Sequence, residues 1–335
     1  MKMQRTSLTI CATMVLLFSS AWFCEGAFAS YIVAWGRNDL GQCNVPTGGD
    51  FIDTAGLYDR TMALRSNGSV VHWGRQTTSS SHVPQPAGIF QDIDGFGDHV
   101  VAIKTDGSLT AWGYNLFGQC NNIPLGNNFN GISGGGFHSL AVKSDHSIVA
   151  WGRNDLGQCN ISPMLPPNGF DAIAAGGEWS LALMMDGSLA AWGYDGKLQI
   201  TNLPIGNNFA AVSAGWDHGL ALTKNGSLVA WGNDADGQVT NTPTGNNFVA
   251  ISAGWDWNLA LKSDSTLVAW GFNQFSSTNV PTDAIFTGID ACAYHGLALT
   301  PIPEPATLTL LLLGGLAFAG LRGVRPVFRV FFQGR

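Results

Sequence analysis

Seven Trp-Gly pairs recur along the chain, at Trp35, Trp73, Trp112, Trp151, Trp192, Trp231 and Trp270, spaced 38, 39, 39, 41, 39 and 39 residues apart. A period near 40 residues means one supersecondary unit copied in tandem, each copy unable to bury its apolar face alone and each covered by its neighbours. A second regular block precedes the tryptophans and opens at Phe51, Phe90, Phe129, Phe170, Phe209, Phe248 and Phe286. It reads like residues 248–261 (FVAISAGWDWNLAL): an apolar strand, a small-residue turn at Ala253 and Gly254, then the alternating Asn258-Leu259-Ala260-Leu261. Asn67-Gly68, Asp106-Gly107, Asp186-Gly187 and Asn225-Gly226 follow, and predict two-residue β-hairpins. Asp145-His146 and Asp264-Ser265 predict less ideal turns. After Trp-Gly comes a polar Gly-x-Asn-x-x-Gly-Gln segment, as in 36–42 and 152–158, and then a Pro, which cannot donate a ladder hydrogen bond and belongs at an edge.

Short strands, frequent turn signals and no helical period predict an all-β fold, a seven-bladed β-propeller of four-stranded antiparallel blades. The array begins at Tyr31 with a Trp strand lacking its Phe block and ends at Leu299 with a Phe block lacking its Trp strand. The two half-units are therefore expected to share one blade and close the ring, which spans residues 30–300. A linear solenoid would leave two apolar faces open and want capping repeats.

The flanks read as topogenic signals. Residues 1–29 form a signal peptide, with Lys2 and Arg5, an apolar stretch from Leu8 to Phe23, and the small-x-small cleavage site Ala27-Phe28-Ala29. Residues 301–335 carry Pro303-Glu304-Pro305, an uncharged apolar run at 306–321, and then Arg322, Arg325 and Arg329. Sixteen residues fall slightly short of the ~17 to 25 that span a bilayer, and the following arginines favour a cytoplasmic C-terminus. An ordinary C-terminal membrane anchor would use the same residues.

Between residues 30 and 300 there are ten Lys and Arg against twenty-one Asp and Glu, a net charge of −11. Such a ring repels phosphate backbones, which excludes nucleic acid as a partner. Cys43, Cys120, Cys159 and Cys292 show no metal spacing, and packing is their expected role. Nine residues after each Phe stands Arg60, His99, His138, Trp179, His218, Trp257 or His295. A repeat-encoded column of this kind is expected to hydrogen-bond backbone within its own blade rather than to converge on a metal. Neither cofactor nor metal is expected.

His-x-Leu-Ala-Leu, Asp/Asn-Gly-Ser-Leu, Ala-Trp-Gly and Asn-x-x-Gly-Gln together resemble the regulator of chromosome condensation repeat family over residues 31–300. The resemblance implies the propeller but no single activity, because members of that superfamily include a nuclear exchange factor, a plant ultraviolet-B receptor and a secreted β-lactamase inhibitor. Residues 301–335 resemble a PEP-CTERM sorting tail. That resemblance implies export, recognition by exosortase-type machinery, transient membrane anchorage and residence at the cell surface or in the extracellular matrix of a Gram-negative-type bacterium.

Four tryptophans of the ring lie outside the Trp-Gly set: Trp179, Trp216, Trp255 and Trp257. With Asp217, His218 and Asp256 they occupy the turns between the two inner strands of consecutive units. They are expected either to form an aromatic, acidic patch for a partner or to fill the narrow centre of the ring. The expected function is a non-catalytic interaction scaffold of the cell envelope, with an envelope protein or exopolysaccharide as partner. The alternative is a propeller enzyme, a polysaccharide lyase or hydrolase, using acidic and His residues on the central face.

Overall fold

The computed structural model describes residues 30–75, 82–162, 165–166 and 169–301. The cleavage residues Ala27 and Ala29, the Pro303-Glu304-Pro305 motif, the apolar run and Arg322 and Arg325 all lie outside them. Among the described residues no helix is long and apolar enough to cross a membrane.

Seven antiparallel sheets form the body. Blade 1 holds Phe51–Gly56, Arg60–Arg65 and Val70–Gly74; blade 2 holds Phe90–Gly95, His99–Lys104 and Leu109–Tyr114; blade 3 holds Phe129–Gly134, His138–Lys143 and Ile148–Gly152. Blade 4 holds Phe170–Ala175, Trp179–Met184 and Leu189–Gly193; blade 5 holds Phe209–Ala214, His218–Thr223 and Leu228–Gly232; blade 6 holds Phe248–Ala253, Trp257–Lys262 and Leu267–Gly271. Blade 7 joins Gly288–Ala291 and His295–Pro301 to Ser30–Gly36, with Trp35 opposite Gly296 and Ser30 opposite Pro301. The half-units do share a blade. The first strand of every blade contacts that of the next, including blade 7 with blade 1, so the array closes on itself.

Among the described residues the expected fourth strand is found only in blade 2, where His82–Val83 pairs with Gly113 and Tyr114. Elsewhere the segment after Trp-Gly curls into turns, with Gly41 N donating to Asn38 O and Asn44 N to Gly41 O. Its side chains bind its own backbone: Asn38 Oδ1 accepts from Cys43 N at 2.8 Å, and Gln42 Oε1 from Leu40 N at 3.0 Å. Local acceptors of this kind compete with a sheet ladder.

The hairpins depart from the two-residue form. Gly107 N donates to Lys104 O, and of the turn residues Gly107 alone has positive φ. That is a type I turn closed by a left-handed residue. Gly68, Gly187 and Gly226 repeat it, and His146 (φ 63) and Ser265 (φ 66) are forced into the same conformation without being glycine. The Gly of each Trp-Gly pair also has positive φ, and a Cβ on Gly232 would stand 2.8 Å from the Asp217 carbonyl oxygen.

Adjacent blades are joined by a relay of buried hydrogen bonds. The Trp73 indole Nε1 donates to Gln42 O at 2.8 Å, and Trp151, Trp192, Trp231 and Trp270 donate likewise to Gln119, Gln158, Gln199 and Gln238. The histidine column corrects the expectation of bonding within a blade. His99 Nε2 reaches Ser139 Oγ of the next blade, His138 reaches Ser180, His218 reaches Asn258 Oδ1 and His295 reaches Thr61 Oγ1, each at 2.8 Å. The Thr61 and Ser180 hydroxyls in turn donate to Gln42 O and Gln158 O, so they accept from the imidazole and fix its proton on Nε2. Where the column holds Trp179 or Trp257, the corresponding residue of the next blade is Gly219 or Gly296.

Candidate functional site

Strand polarity brings two sets of loops to one end of the ring. The turn between the first two strands of a blade, and the segment leaving its third strand, meet because Gly36 lies opposite His295 and Gly232 opposite His218. Backbone bonds tie the two sets together: Arg37 N to Tyr294 O, Arg153 N to Phe137 O, Asn233 N to Asp217 O and Phe272 N to Asp256 O, all between 2.9 and 3.0 Å. The scaffold repeats around this end while its side chains do not.

At the axis, aromatic side chains from opposite blades meet. The Trp216 and Trp255 rings are 4.4 Å apart, Trp255 lies 4.7 Å from Tyr58, and Trp216 stacks on Phe96 at 6.3 Å. Phe96 belongs to blade 2 and Trp216 to blade 5, so the rings plug the mouth across the centre. Phe96 is fully buried; Trp216, Trp255 and Tyr58 are half-buried and keep part of their surface in solvent. Phe137 and Tyr294 flank the plug, with Arg153 lying 5.5 Å from the Phe137 ring and Arg37 6.0 Å from that of Tyr294. Both guanidinium groups are also ion-paired, Arg37 with Asp39 and Asp59, and Arg153 with Asp155 and Glu178.

The candidate residues separate by their place in the turn. Trp216, Asp217, Trp255 and Asp256 are half-buried at the mouth. Trp179, His218 and Trp257 are not surface residues: each is 0% exposed and points between blades. Trp179 Nε1 lies within bonding distance of Gly215 O and Trp216 O, and Trp257 Nε1 of Cys292 O and Ala293 O. By contrast, the buried Trp255 Nε1, like that of Trp112, has no hydrogen-bond partner among the described residues. Sequence reasoning missed Tyr58, Phe96, Phe137, Tyr294, Arg37 and Arg153. Tyr58 stands in the same alignment column as Trp216 and Trp255, seven residues after its Phe, and that column was the available signal.

Charge is uneven around the mouth. Burial raises the Asp256 acid to about 6, with Asp236 and Asp217 adding like-charge repulsion. Asp217 is raised by burial and by Glu178, against the pull of Lys197. Further carboxylates occupy the first strands. Asp94 Oδ2 accepts from Gly134 N at 3.0 Å and Asp290 Oδ2 from Gly56 N at 2.8 Å, bridging to the next blade as Ser133 and Ser213 do elsewhere. Burial pushes Asp94 up to about 8 and Asp290 to about 7. Asp53 is held well above the usual carboxylate range by burial and by its bonded neighbour Asp92. Among the described residues no cluster of three or more His, Cys, Asp or Glu is placed to hold a metal ion, and the four cysteines are free thiols.

Among known proteins, the Regulator of chromosome condensation (RCC1) repeat matches residues 126–158 and 209–238. Human WBSCR16 shares the fold with a TM-score of 0.68 over 82% of this chain and 99% of its own, at 16% identity. Prp20p of Saccharomyces cerevisiae, whose binding to Gsp1p and histones is described with its structure, gives 0.66 over 82% and 92%, at 15% identity. The ectodomain of the Physcomitrella patens receptor kinase CR4 gives 0.63 over 76% and 72%, at 21% identity. No curated protein matches the chain in sequence. The repeat model thus matches two segments of the ring, and the solved structures share its fold.

Proposed function

We propose that the chain is an exported, non-catalytic interaction scaffold that holds an envelope protein or exopolysaccharide at the plugged mouth of its ring. The observation that carries this reading is the pair Trp216 and Trp255, half-buried at the axis with their rings 4.4 Å apart. Large aromatic side chains at the centre of a rigid surface are the usual anchors of an interface. Export rests on the signal peptide at 1–29, and sorting on Pro303-Glu304-Pro305, the apolar run and Arg322 and Arg325, which suit exosortase-type machinery and a transient membrane anchor before release to the surface or matrix. Prp20p, a propeller of similar fold, is described as binding proteins. The net charge of −11 argues against nucleic acid here.

The enzymatic alternative needs an accessible imidazole. His99, His138, His218 and His295 are all 0% exposed, with Nε2 engaged by the next blade, and burial lowers each to about 3 or 4. The test is retention of the purified chain on envelope material from the parent cell. Trp216→Ala and Trp255→Ala are expected to lower retention about tenfold or more, the loss typical of a central aromatic anchor. Unchanged retention by both variants would overturn the reading.

A further inference from the structure

The mouth has one sector whose charge the chain leaves unbalanced. Arg37, Arg75 and Arg153 are engaged by Asp39, Asp59, Asp155 and Glu178. Between blades 5 and 6 stand Asp217, Asp236 and Asp256, with Asp217 and Asp236 each repelling Asp256, and Lys197 is the cation that acts on Asp217 and Asp256. Two of these acids directly follow Trp216 and Trp255 in sequence. An indole face carries the negative lobe of its quadrupole, so half-buried indoles beside carboxylates create a site favourable to a cation on both counts.

We propose that this sector docks a Lys or Arg side chain projecting from a protein partner, laid against Trp216 and Trp255 and paired with Asp217 and Asp256. The inference rests on the mouth being the binding face and names the chemistry it selects. A neutral sugar would also stack on the indoles, but it would leave the repulsion among the carboxylates unrelieved, and an acidic polysaccharide would add to it. The chain already places guanidinium groups over aromatic rings at this end, with Arg37 above Tyr58 and Arg153 above Phe137. The sector of Trp216 and Trp255 combines such rings with Asp217 and Asp256, neither of which belongs to the ion pairs of the described residues.

The test titrates the full-length chain with three fluorescent probes: a short Gly-Arg-Gly-Lys peptide, its Gly-Glu-Gly-Asp counterpart, and cellohexaose. The basic peptide is expected to bind, and more weakly at high salt, while the acidic one does not. Asp217→Asn with Asp256→Asn keeps side-chain volume and is expected to weaken the basic peptide about tenfold, since the cation loses its charged partners while the indole faces stay in place. Lys197→Glu, on an exposed residue, is expected to act in the opposite sense and tighten it about threefold. Absence of basic-peptide binding, or binding indifferent to all three charge changes, overturns the proposal. If cellohexaose binds and Trp255→Ala abolishes it while the basic peptide fails, the docking face stands and the basic partner falls. If no probe binds and envelope retention ignores Trp216 and Trp255, both readings fall.

Discussion

At the scale of single residues, the blades are matched by complementary pairs rather than by a uniform rule. A histidine nine residues after the Phe always faces Ser, Thr or Asn of the next blade, whereas a tryptophan there is followed by Gly219 or Gly296 in the corresponding place. The reason is steric as well as polar. The two glycines lie against the Trp231 and Trp35 rings of their own blades, where an added Cβ would stand 2.3 and 2.4 Å away, so a side chain at either place requires that ring to shift. Trp179→His is therefore expected to cost about 3 kcal/mol by opening a cavity, and Gly219→Ser to be destabilising on its own. Together they are expected to be less harmful than their sum by about 1 kcal/mol, because the pair recreates the bond seen between His138 and Ser180. A double-mutant cycle of denaturant midpoints checks this; strict additivity would mean the columns do not communicate.

At the scale of the element, each hairpin demands one left-handed residue, and two of the six hairpins meet the demand without glycine. Ser265→Gly is expected to stabilise the chain by about 0.5 to 1 kcal/mol, since relief of the left-handed penalty outweighs the entropy glycine adds to the unfolded chain. His146→Gly is expected to gain less, because it removes the 3.0 Å bond between His146 Nδ1 and Phe170 O. Thermal unfolding of the two variants separates them, and a destabilised Ser265→Gly chain would contradict the argument. Sequence made these two turns legible as exceptions, because Asp-His and Asp-Ser stand where Asp-Gly or Asn-Gly is the rule. It made the strands, the closure through residues 30–36 and the mouth position of Trp216 and Trp255 legible for the same reason: periodicity aligns equivalent places. What periodicity cannot carry is direction out of the blade. Trp255 and Trp257 are two residues apart and look alike in sequence, yet one sits at the mouth and the other lies wholly between blades. The missing outer strand was illegible for another reason, since Asn and Gln side chains that bind their own turn leave no hydrophobic signature.

At the scale of the whole molecule, a closed ring holds two opposing sets of ionisable groups, buried histidines and half-buried carboxylates, and their balance sets its response to pH. Ser30 and Pro301 lie at the end of blade 7 away from the mouth. Inside the ring, His99 and His218 are lowered to about 4 and His138 and His295 to about 3, chiefly by burial. The unfolded chain binds those protons more readily, so this contribution is complete above about pH 6.5 and is lost as pH falls. Asp94, Asp290 and Asp256 are raised to about 8, 7 and 6. Here the folded chain holds the proton more tightly, so their contribution is complete below about pH 4 and is lost as pH rises through those values. Between about pH 4 and 6.5 the two sets oppose each other, and above that range only the carboxylates still change. The denaturant midpoint is therefore expected to be highest in mildly acidic solution and to fall from about pH 6.5 to 8, each unmatched proton contributing a slope of about 1.4 kcal/mol per pH unit. Asp94→Asn with Asp290→Asn keeps an oxygen to accept from Gly134 N and Gly56 N while removing the titration. That variant is expected to flatten the alkaline limb and leave the acid limb, which belongs to the histidines, in place. A midpoint that instead climbs from pH 6.5 to 8 would mean that the carboxylates on the first strands are already ionised in the folded ring.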